Sequence, residues 1–196
     1  MTVSRETMDR LKTYEALLHK WQKAVNLVSP NTLAESWQRH FEDSLQLTDL
    51  IPKNTKTVFD LGSGGGFPGM VLAIARPDLA VHLIESDSKK CSFLKTVSRE
   101  TSAPVTLHTA RIESVEIPVT PDLITARALA SLDQLLEWCL PWTKDNPDLT
   151  MLFLKGEKAM QEIGDTQKRF SFDHESFPSR TNKDGVILQI KNLQKT

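Results

Sequence analysis

The sequence predicts an α/β fold, with a mostly parallel, seven-stranded sheet of the Rossmann type, an antiparallel last strand and a short N-terminal helical subdomain. From Thr57 onward, short β-rich runs alternate with helical stretches, which is typical of right-handed crossovers between parallel strands. The last two runs are separated only by residues 178–185, too few for a helical crossover, so they should pair as an antiparallel hairpin. Before residue 52, apolar residues recur at helical spacing instead.

The elements of the α/β part follow from these runs. Strands are predicted at residues 58–61, 81–85, 105–108, 123–125, 150–154, 170–177 and 186–190. Helices are predicted at residues 68–75, 88–100, 132–140 and 157–167. Residues 1–52 are therefore assigned to an N-terminal helical subdomain and residues 53–196 to the Rossmann-type domain.

The N-terminal part predicts two helices. In the first, Leu11, Leu18 and Trp21 lie on one face. The sequence V-S-P-N then breaks the pattern, and Asn31 is the predicted N-cap of the second helix. The apolar residues of this second helix recur every four positions, at Leu33, Trp37, Phe41 and Leu45.

Composition limits the possible classes of function. Hydrophobic residues make up 39% and charged residues 25%, as in ordinary globular proteins. No apolar run approaches the roughly 20 residues that span a bilayer, and the polar N-terminus does not resemble a signal peptide. Cys91 and Cys139 lack metal-ligand spacing, which predicts buried thiols and no metal site. These features predict a cytoplasmic protein without a membrane segment.

The strongest chemical signal is D-L-G-S-G-G-G-F-P-G at residues 60–69. An apolar strand runs into glycines there, and a helix is predicted to begin at Pro68. Glycines allow a tight turn and the close approach of a ligand, and a helix N-terminus offers free N–H groups to an anion. A side chain at Gly62 is therefore expected to occupy space that the ligand needs.

The segment matches the binding motifs of two different cofactors. The acidic residue followed by G-x-G-x-G, which begins at Asp60, is the form used by class I S-adenosylmethionine-dependent methyltransferases, and the anion would then be the methionine carboxylate. From Gly64 the same segment also fits the dinucleotide fingerprint G-x-G-x-x-G. Glu85 does not separate the two, because a carboxylate at the end of the second strand can bind the ribose of either cofactor.

The remainder of the chain favours the methyltransferase. A short-chain reductase needs a tyrosine and a lysine as proton donors, and the only tyrosine, Tyr14, is predicted to lie outside the α/β fold. A two-domain dehydrogenase needs a substrate domain, for which the chain has no room. A methyltransferase of another substrate and an NAD(P)-binding Rossmann protein stay as alternatives.

A hydrolase is also considered, because His40, Asp43 and Ser44 are the residue types of a catalytic triad. At positions i, i+3 and i+4 they share one face of a helix, and no nucleophile elbow surrounds the serine. The pattern therefore argues against a hydrolase and indicates a structural or substrate-facing role.

The chain resembles the glucose-inhibited division protein B family of 16S rRNA guanine-N7 methyltransferases. The motifs that carry the resemblance occur in the family's order: H-K-W at 19–21, N-L at 26–27, R-H at 39–40, D-S at 43–44, the glycine segment at 60–69, E-S at 85–86, K-K at 89–90, F-L at 93–94, R-I-E at 111–113, R-A at 127–128 and K-G at 155–156. Together they span residues 19–156. Gly65 is a small departure, because the family often has Ala or Pro there.

The resemblance implies the cofactor site. S-adenosyl-L-methionine would be contacted by Gly62, Gly64, Phe67, Ile112, Glu113 and Arg127, with Glu85 on its ribose. Arg127, which follows the fourth strand, is also the candidate catalytic residue. It could pair with the methionine carboxylate or with Glu113, or it could hold an RNA phosphate.

The resemblance also implies the substrate, a guanine in the 530 loop of 16S rRNA in the small ribosomal subunit. No stable protein partner is implied. Guanine N7 has a free lone pair and no proton to lose, so no general base is needed, and the Asn/Asp-Pro-Pro-Tyr/Phe motif of exocyclic-amine methyltransferases is absent. The net charge of −1 calls for a local cluster of cations on any RNA-binding face. The candidates for RNA contact are Lys20, Lys23, Arg39, His40, Arg111 and Lys155.

Overall fold

A seven-stranded sheet with strand order β3-β2-β1-β4-β5-β7-β6 forms the centre of the computed structural model, which describes residues 3–196. Its strands are β1 Thr57–Leu61, β2 Ala80–Glu85, β3 Thr106–Thr109, β4 Leu123–Arg127, β5 Thr150–Lys155, β6 Phe170–Pro178 and β7 Val186–Lys195. Strands β1 to β5 are parallel, whereas β7 is antiparallel to both of its neighbours, β5 and β6. The predicted sheet, including its antiparallel last strand, is confirmed.

Six α-helices accompany the strands in the described residues. They are α1 Arg5–Gln22, α2 Asp43–Leu45, α3 Gly69–Ala75, α4 Ser88–Thr101, α5 Leu132–Thr143 and α6 Ala159–Thr166. Capping explains several of the boundaries: the Ser4 side chain accepts a hydrogen bond from the backbone of Thr7 at the start of α1. Helix α3 begins at Gly69 with Pro68 as its N-cap, one residue later than predicted. Helix α5 continues past the predicted end at residue 140 and includes Pro141.

The second N-terminal helix differs from the prediction. Asn31 is not an N-cap, because it lies inside a short 3₁₀ turn at Pro30–Thr32. The helix begins later, as a π-helix at Trp37–Glu42, and continues through α2 into a 3₁₀ turn at Gln46–Asp49. An apolar residue at every fourth position does not distinguish an α-helix from a π-helix, which is rare and frequently occurs at functional sites.

Two hydrophobic clusters form the core. One contains Phe59 and Leu136 and includes the buried apolar face of α5 and α6. The other joins the N-terminal helices to α3 and α4, and Tyr14, Phe67 and Leu94 are among its buried residues. The N-terminal segment therefore packs into the α/β core, and the subdomain boundary near residue 52 stays a prediction.

This packing corrects the predicted location of Tyr14. It is fully buried, stacks on Phe67 with ring centroids 5.2 Å apart and meets Phe41 edge-on. The prediction that it lies outside the fold was wrong, because the amphipathic face of α1 packs on the α/β part. It is still no free proton donor, since its hydroxyl donates to the carbonyl oxygen of Gly65.

The remaining expectations concern cysteines, metals and membranes. Cys91 and Cys139 are both buried and free, as predicted, and burial raises the pKa of each thiol. Residues 3–196 contain no cluster of three or more side chains placed to hold a metal ion. Within the same residues, no helix has the length and apolar character needed to cross a membrane.

Candidate functional site

A pocket of about 660 Å³ opens where the parallel strands end at their carboxyl edge. Ligands bind at this edge in open α/β folds, and the volume is in the range of small-molecule sites. The predicted cofactor residues all line it: Gly62, Gly64, Phe67, Glu85, Ile112, Glu113 and Arg127.

The pocket has two halves. The glycine-loop half is formed by residues at or after the carboxyl ends of β1, β2 and β3, among them Gly64, Glu85 and Glu113. The N-terminal half adjoins Arg127 at the end of β4 and combines residues 29–43 with the β6–β7 loop. The polar residues of this second half are Ser29, Thr32, Arg39, His40, Asp43, Ser179, Thr181 and Asn182. Phe67 and Arg127 lie in contact, with the guanidinium carbon 5.1 Å from the ring centroid.

Glu85 stabilises the glycine-loop half by accepting two backbone hydrogen bonds. Its Oε2 accepts a hydrogen bond of 2.8 Å from the backbone N–H of Gly64, and its Oε1 accepts one of 2.8 Å from Asp87. The loop is fixed from the other side by Tyr14 through its bond to Gly65. Gly62 and Gly64 have φ angles of +60° and +57°, a left-handed conformation that favours glycine.

The expected effect of a side chain at Gly62 needs correction. A Cβ atom there would overlap the side chain of Leu129, so it would collide with the protein before it met a ligand. At Gly64 the nearest atom to an added Cβ is the Gly62 carbonyl oxygen, 3.7 Å away. Gly64, and not Gly62, is therefore the position where a side chain would extend into open space.

Asp60 lies beneath this loop and is completely buried. Its Oδ1 accepts a hydrogen bond of 2.8 Å from the hydroxyl of Thr125 on β4. Burial raises the pKa of Asp60 to about 6, and hydrogen bonding opposes that increase. The carboxyl group thus links β1 to β4 below the pocket floor.

Arg127 is the last residue of β4, so its predicted position at the carboxyl edge is confirmed. Its Nη1 donates to the carbonyl oxygen of Arg39 at 3.0 Å and to His40 Nδ1 at 2.8 Å, and it lies 3.7 Å from Asp43 Oδ2. The expected pairing with Glu113 is absent from the described structure. The physical reason is that Glu113 lies in the other half of the pocket, whereas the π-helix and the start of α2 bring three acceptors to Arg127.

His40 is held as a neutral ring. Because Arg127 can only donate, Nδ1 accepts, and the proton therefore resides on Nε2, which faces Thr32 Oγ1 at 2.9 Å. The Thr32 hydroxyl in turn donates to the carbonyl oxygen of Ser29 at 2.8 Å. Burial lowers the pKa of His40 to about 3, and the charges of Arg127 and Arg39 contribute to that decrease.

Asp43 is a functional candidate for which the sequence pattern indicated only a structural or substrate-facing role. Its Oδ1 accepts hydrogen bonds from Thr181 Oγ1 at 2.6 Å, Gln46 Nε2 at 2.8 Å and Ser179 Oγ at 3.3 Å. Two of these donors lie in the β6–β7 loop, outside the sequence motifs at residues 19–156 that carry the family resemblance. The signal that could have indicated Asp43 is its place in the D-S motif.

The predicted RNA contacts separate into two groups. Arg39, His40, Arg111 and Lys155 line the pocket. Lys20 and Lys23 are exposed near the end of α1 and do not line it. Lys155 is only 10% exposed, donates to the carbonyl oxygen of Ala130 at 2.9 Å and pairs with Glu162 at 2.7 Å. Its ammonium group is therefore engaged within the protein and fixes the segment after β4.

The strand order and the glycine loop define a class I S-adenosylmethionine-dependent methyltransferase fold. The ribosomal protein L11 methylase from Lactobacillus delbrueckii subsp. bulgaricus has a similar structure, with a TM-score of 0.60 and 16% identity over 79% of this chain and 78% of that chain. The glycopeptide N-methyltransferase MtfA, solved with S-adenosyl-L-methionine, gives a TM-score of 0.61 and 10% identity over 78% of this chain and 93% of that one. At such identities the similarity shows the fold alone.

The chain belongs to the GidB family, described as rRNA small subunit methyltransferase G, whose family model matches residues 7–188. A ribosomal RNA small subunit methyltransferase G from Gluconobacter oxydans is 48% identical over 194 residues, which cover 99% of this chain and 98% of that protein. The protein of the same name from Parvibaculum lavamentivorans is 47% identical over 195 residues, covering 97% and 85% of the two chains. The family resemblance predicted from the sequence motifs is confirmed.

Proposed function

We propose that the protein transfers a methyl group from S-adenosyl-L-methionine to N7 of a guanine in 16S rRNA of the small ribosomal subunit, the 530-loop guanine by family resemblance. The observation that carries this proposal is a single pocket at the carboxyl edge of the sheet. All seven predicted cofactor residues meet there in a chain of the rRNA small subunit methyltransferase G family. The family membership also argues against the NAD(P)-binding alternative.

The residues of the glycine-loop half fit the cofactor. Open space lies above Gly64, Ile112 is half-buried and offers an apolar surface to an adenine face, and the exposed carboxylate of Glu113 could accept from the adenine amino group. Glu85 would accept hydrogen bonds from ribose hydroxyls. When bound, the cofactor supplies an activated sulfonium methyl group.

The proposed reaction depends on how the guanine base is positioned and requires no proton transfer to the protein. Guanine N7 attacks through a free lone pair, so the protein must hold the base in line with the methyl group, an effect that can lower a barrier by about 7–11 kcal/mol. The N-terminal half suits this task, because Arg127 and His40 are fixed by hydrogen bonds of 2.8–3.0 Å. The low pKa of His40 is no obstacle, since no general base is required.

RNA would approach over the cationic rim of the pocket. Arg39 and Arg111 line the pocket, and both can meet phosphate oxygens. Because the net charge of the protein is −1, these local cations would supply the affinity for RNA. RNA binding should therefore weaken as the salt concentration is raised. A ribosomal RNA substrate would be met in the cytoplasm.

Incubation with radiolabelled S-adenosyl-L-methionine tests the proposal. Small subunits from a strain that lacks this modification should accept label, whereas modified small subunits and large subunits should not. Calorimetry should show tighter binding of S-adenosyl-L-methionine than of NAD. Label in another substrate class would overturn the rRNA assignment, and tighter binding of NAD would overturn the cofactor assignment.

A further inference from the structure

Asp43 joins three elements that are distant in sequence. Thr181, 138 residues away, donates to its Oδ1 at 2.6 Å from the β6–β7 loop. Gln46 donates from the turn after α2, and Arg127 approaches its Oδ2 from the end of β4. Gln46 extends the network, because its Oε1 accepts the backbone N–H of Arg180 at 3.0 Å. One carboxylate is thus shared by the N-terminal segment, the β6–β7 loop and β4.

We infer that Asp43 is a positioning residue for methyl transfer: it fixes Arg127 and the β6–β7 loop as one wall of the N-terminal half of the pocket, where the base would bind. This inference rests on the proposed function. The wall consists of the small polar side chains of Ser179, Thr181 and Asn182 together with Arg127. A purine in line with the cofactor methyl group would be held against this wall.

A second pair in the same region provides an internal comparison. Asp49 pairs with Arg180 and also joins the N-terminal segment to the β6–β7 loop, but the two side chains are 53% and 55% exposed and neither lines the pocket. Asp43 is 15% exposed and lines it. An exposed ion pair contributes little to stability, and a buried carboxylate loses hydration, which its hydrogen bonds and nearby cation must offset. The location of Asp43 therefore indicates a role beyond tethering the loop.

Charge supplies the physical reason for a carboxylate at this place. In the proposed reaction the N7 lone pair forms the new N–CH₃ bond while the S–CH₃ bond breaks and its electron pair stays on sulfur. The positive charge thereby passes from the sulfonium to the purine. A cation close to the base would oppose that transfer, and the carboxylate at 3.7 Å from Arg127 offsets it. Asp43→Asn removes this compensation while it keeps the size of the side chain.

The test compares Asp43→Asn with the matched control Asp49→Asn in single-turnover methylation of undermodified small subunits. We expect Asp43→Asn to lower the rate at saturating subunits by about 100-fold, with less than about a threefold change in apparent KM, because a misplaced group costs about that much. Asp49→Asn should change either quantity by less than about threefold. Equal losses in the two variants, or a change in KM alone, would reduce Asp43 to a structural tether and overturn the inference.

A readout without activity separates this inference from the proposed function. Hydrogen exchange of the backbone amides at residues 179–182 should accelerate at least about tenfold more in Asp43→Asn than in Asp49→Asn, because the first variant loosens the loop at the pocket wall. If the wild-type protein fails to methylate small subunits, the proposed function is wrong, whatever the exchange data show. If it methylates them but the exchange rates of the two variants are equal, the positioning role of Asp43 is wrong.

Discussion

The two halves of the pocket are assembled in different ways. The glycine-loop half is made of residues at or after the carboxyl ends of β1, β2 and β3, and its main internal contact joins Gly64 to Glu85 across neighbouring strands. The N-terminal half depends on contacts between remote segments, since Arg127 binds residues 87 and 88 positions earlier and Asp43 binds Thr181. A pocket wall that follows strand ends is set by the fold, whereas the other wall depends on the packing of the N-terminal segment against α3 and α4.

The largest effect on methylation should come from a substitution of Arg127, which lies between the two halves of the pocket. Arg127→Lys keeps the charge but removes the geometry that lets Nη1 reach both the carbonyl oxygen of Arg39 and His40 Nδ1. We expect methylation of small subunits to fall by about 100-fold or more while the fold persists. Single-turnover rates and circular dichroism measure the two quantities.

A matched control for this prediction is Arg169→Lys, which alters an exposed arginine paired with Asp133 and Glu137. It should change the rate by less than about twofold. The binding measurements also distinguish two roles for Arg127. Weaker cofactor binding would assign it to the glycine-loop half, and weaker RNA binding with a changed salt dependence would assign it to the N-terminal half. Near-wild-type methylation by Arg127→Lys would show that Arg127 has no specific role in methyl transfer.

The second-largest effect should come from a substitution of Gly64, which tests the role of the glycine-loop half in cofactor binding. In Gly64→Ala, the added methyl group enters the open space above the loop, and the φ of +57° disfavours alanine. We expect the Kd for S-adenosyl-L-methionine to rise by about tenfold, with a loss of about 1–2 kcal/mol in stability. Calorimetry and urea unfolding measure these changes.

Its control is Gly164→Ala, in helix α6, where no atom lies within 4 Å of an added Cβ. This change should stabilise the protein by about 0.5–1 kcal/mol and leave the Kd unaltered. If Gly64→Ala binds the cofactor as tightly as Gly164→Ala does, the cofactor lies elsewhere in the pocket.

The contrast between the halves also explains what the sequence could predict. The strands and helices, the antiparallel last strand and the glycine loop follow from local patterns, and the cofactor residues implied by the family resemblance all line one pocket. The roles of Tyr14 and Asp43 could not be predicted in the same way, because burial of Tyr14 and the contacts of Asp43 depend on how α1, the π-helix and the β6–β7 loop pack together. Lys155 has a charge typical of an RNA contact, yet its partner Glu162 comes from α6.

A smaller effect concerns pH and the N-terminal half. The pKa of His40 in the folded protein is about 3, below its usual value of about 6.5, so between these values the unfolded chain binds a proton that the folded chain does not. The stability from His40 is therefore complete above pH 6.5 and is lost as the pH falls toward 3. Between pH 7.5 and 5, wild type should lose about 1–2 kcal/mol more than His40→Gln in urea unfolding. Equal losses would contradict a neutral, buried His40.

The smallest effect should distinguish the rim of the pocket from the remaining surface. Arg111→Ala removes an exposed cation that lines the pocket, and Lys20→Ala removes one that does not. We expect the first to weaken subunit binding by a few-fold and to reduce the slope of log affinity against log salt by about 1. The second should change neither quantity. The reverse order would place the RNA path along α1.

The identity of the modified nucleoside tests the central claim most directly. Undermodified small subunits are methylated with labelled S-adenosyl-L-methionine, the 16S rRNA is digested to nucleosides, and the labelled product is compared with authentic 7-methylguanosine. The two-sided pocket and its chemistry without a general base predict that the label is found in 7-methylguanosine, at one site per subunit. Label in an exocyclic-amine or a C5-methylated nucleoside would contradict the account, because those reactions require proton removal that the N-terminal half is not proposed to perform.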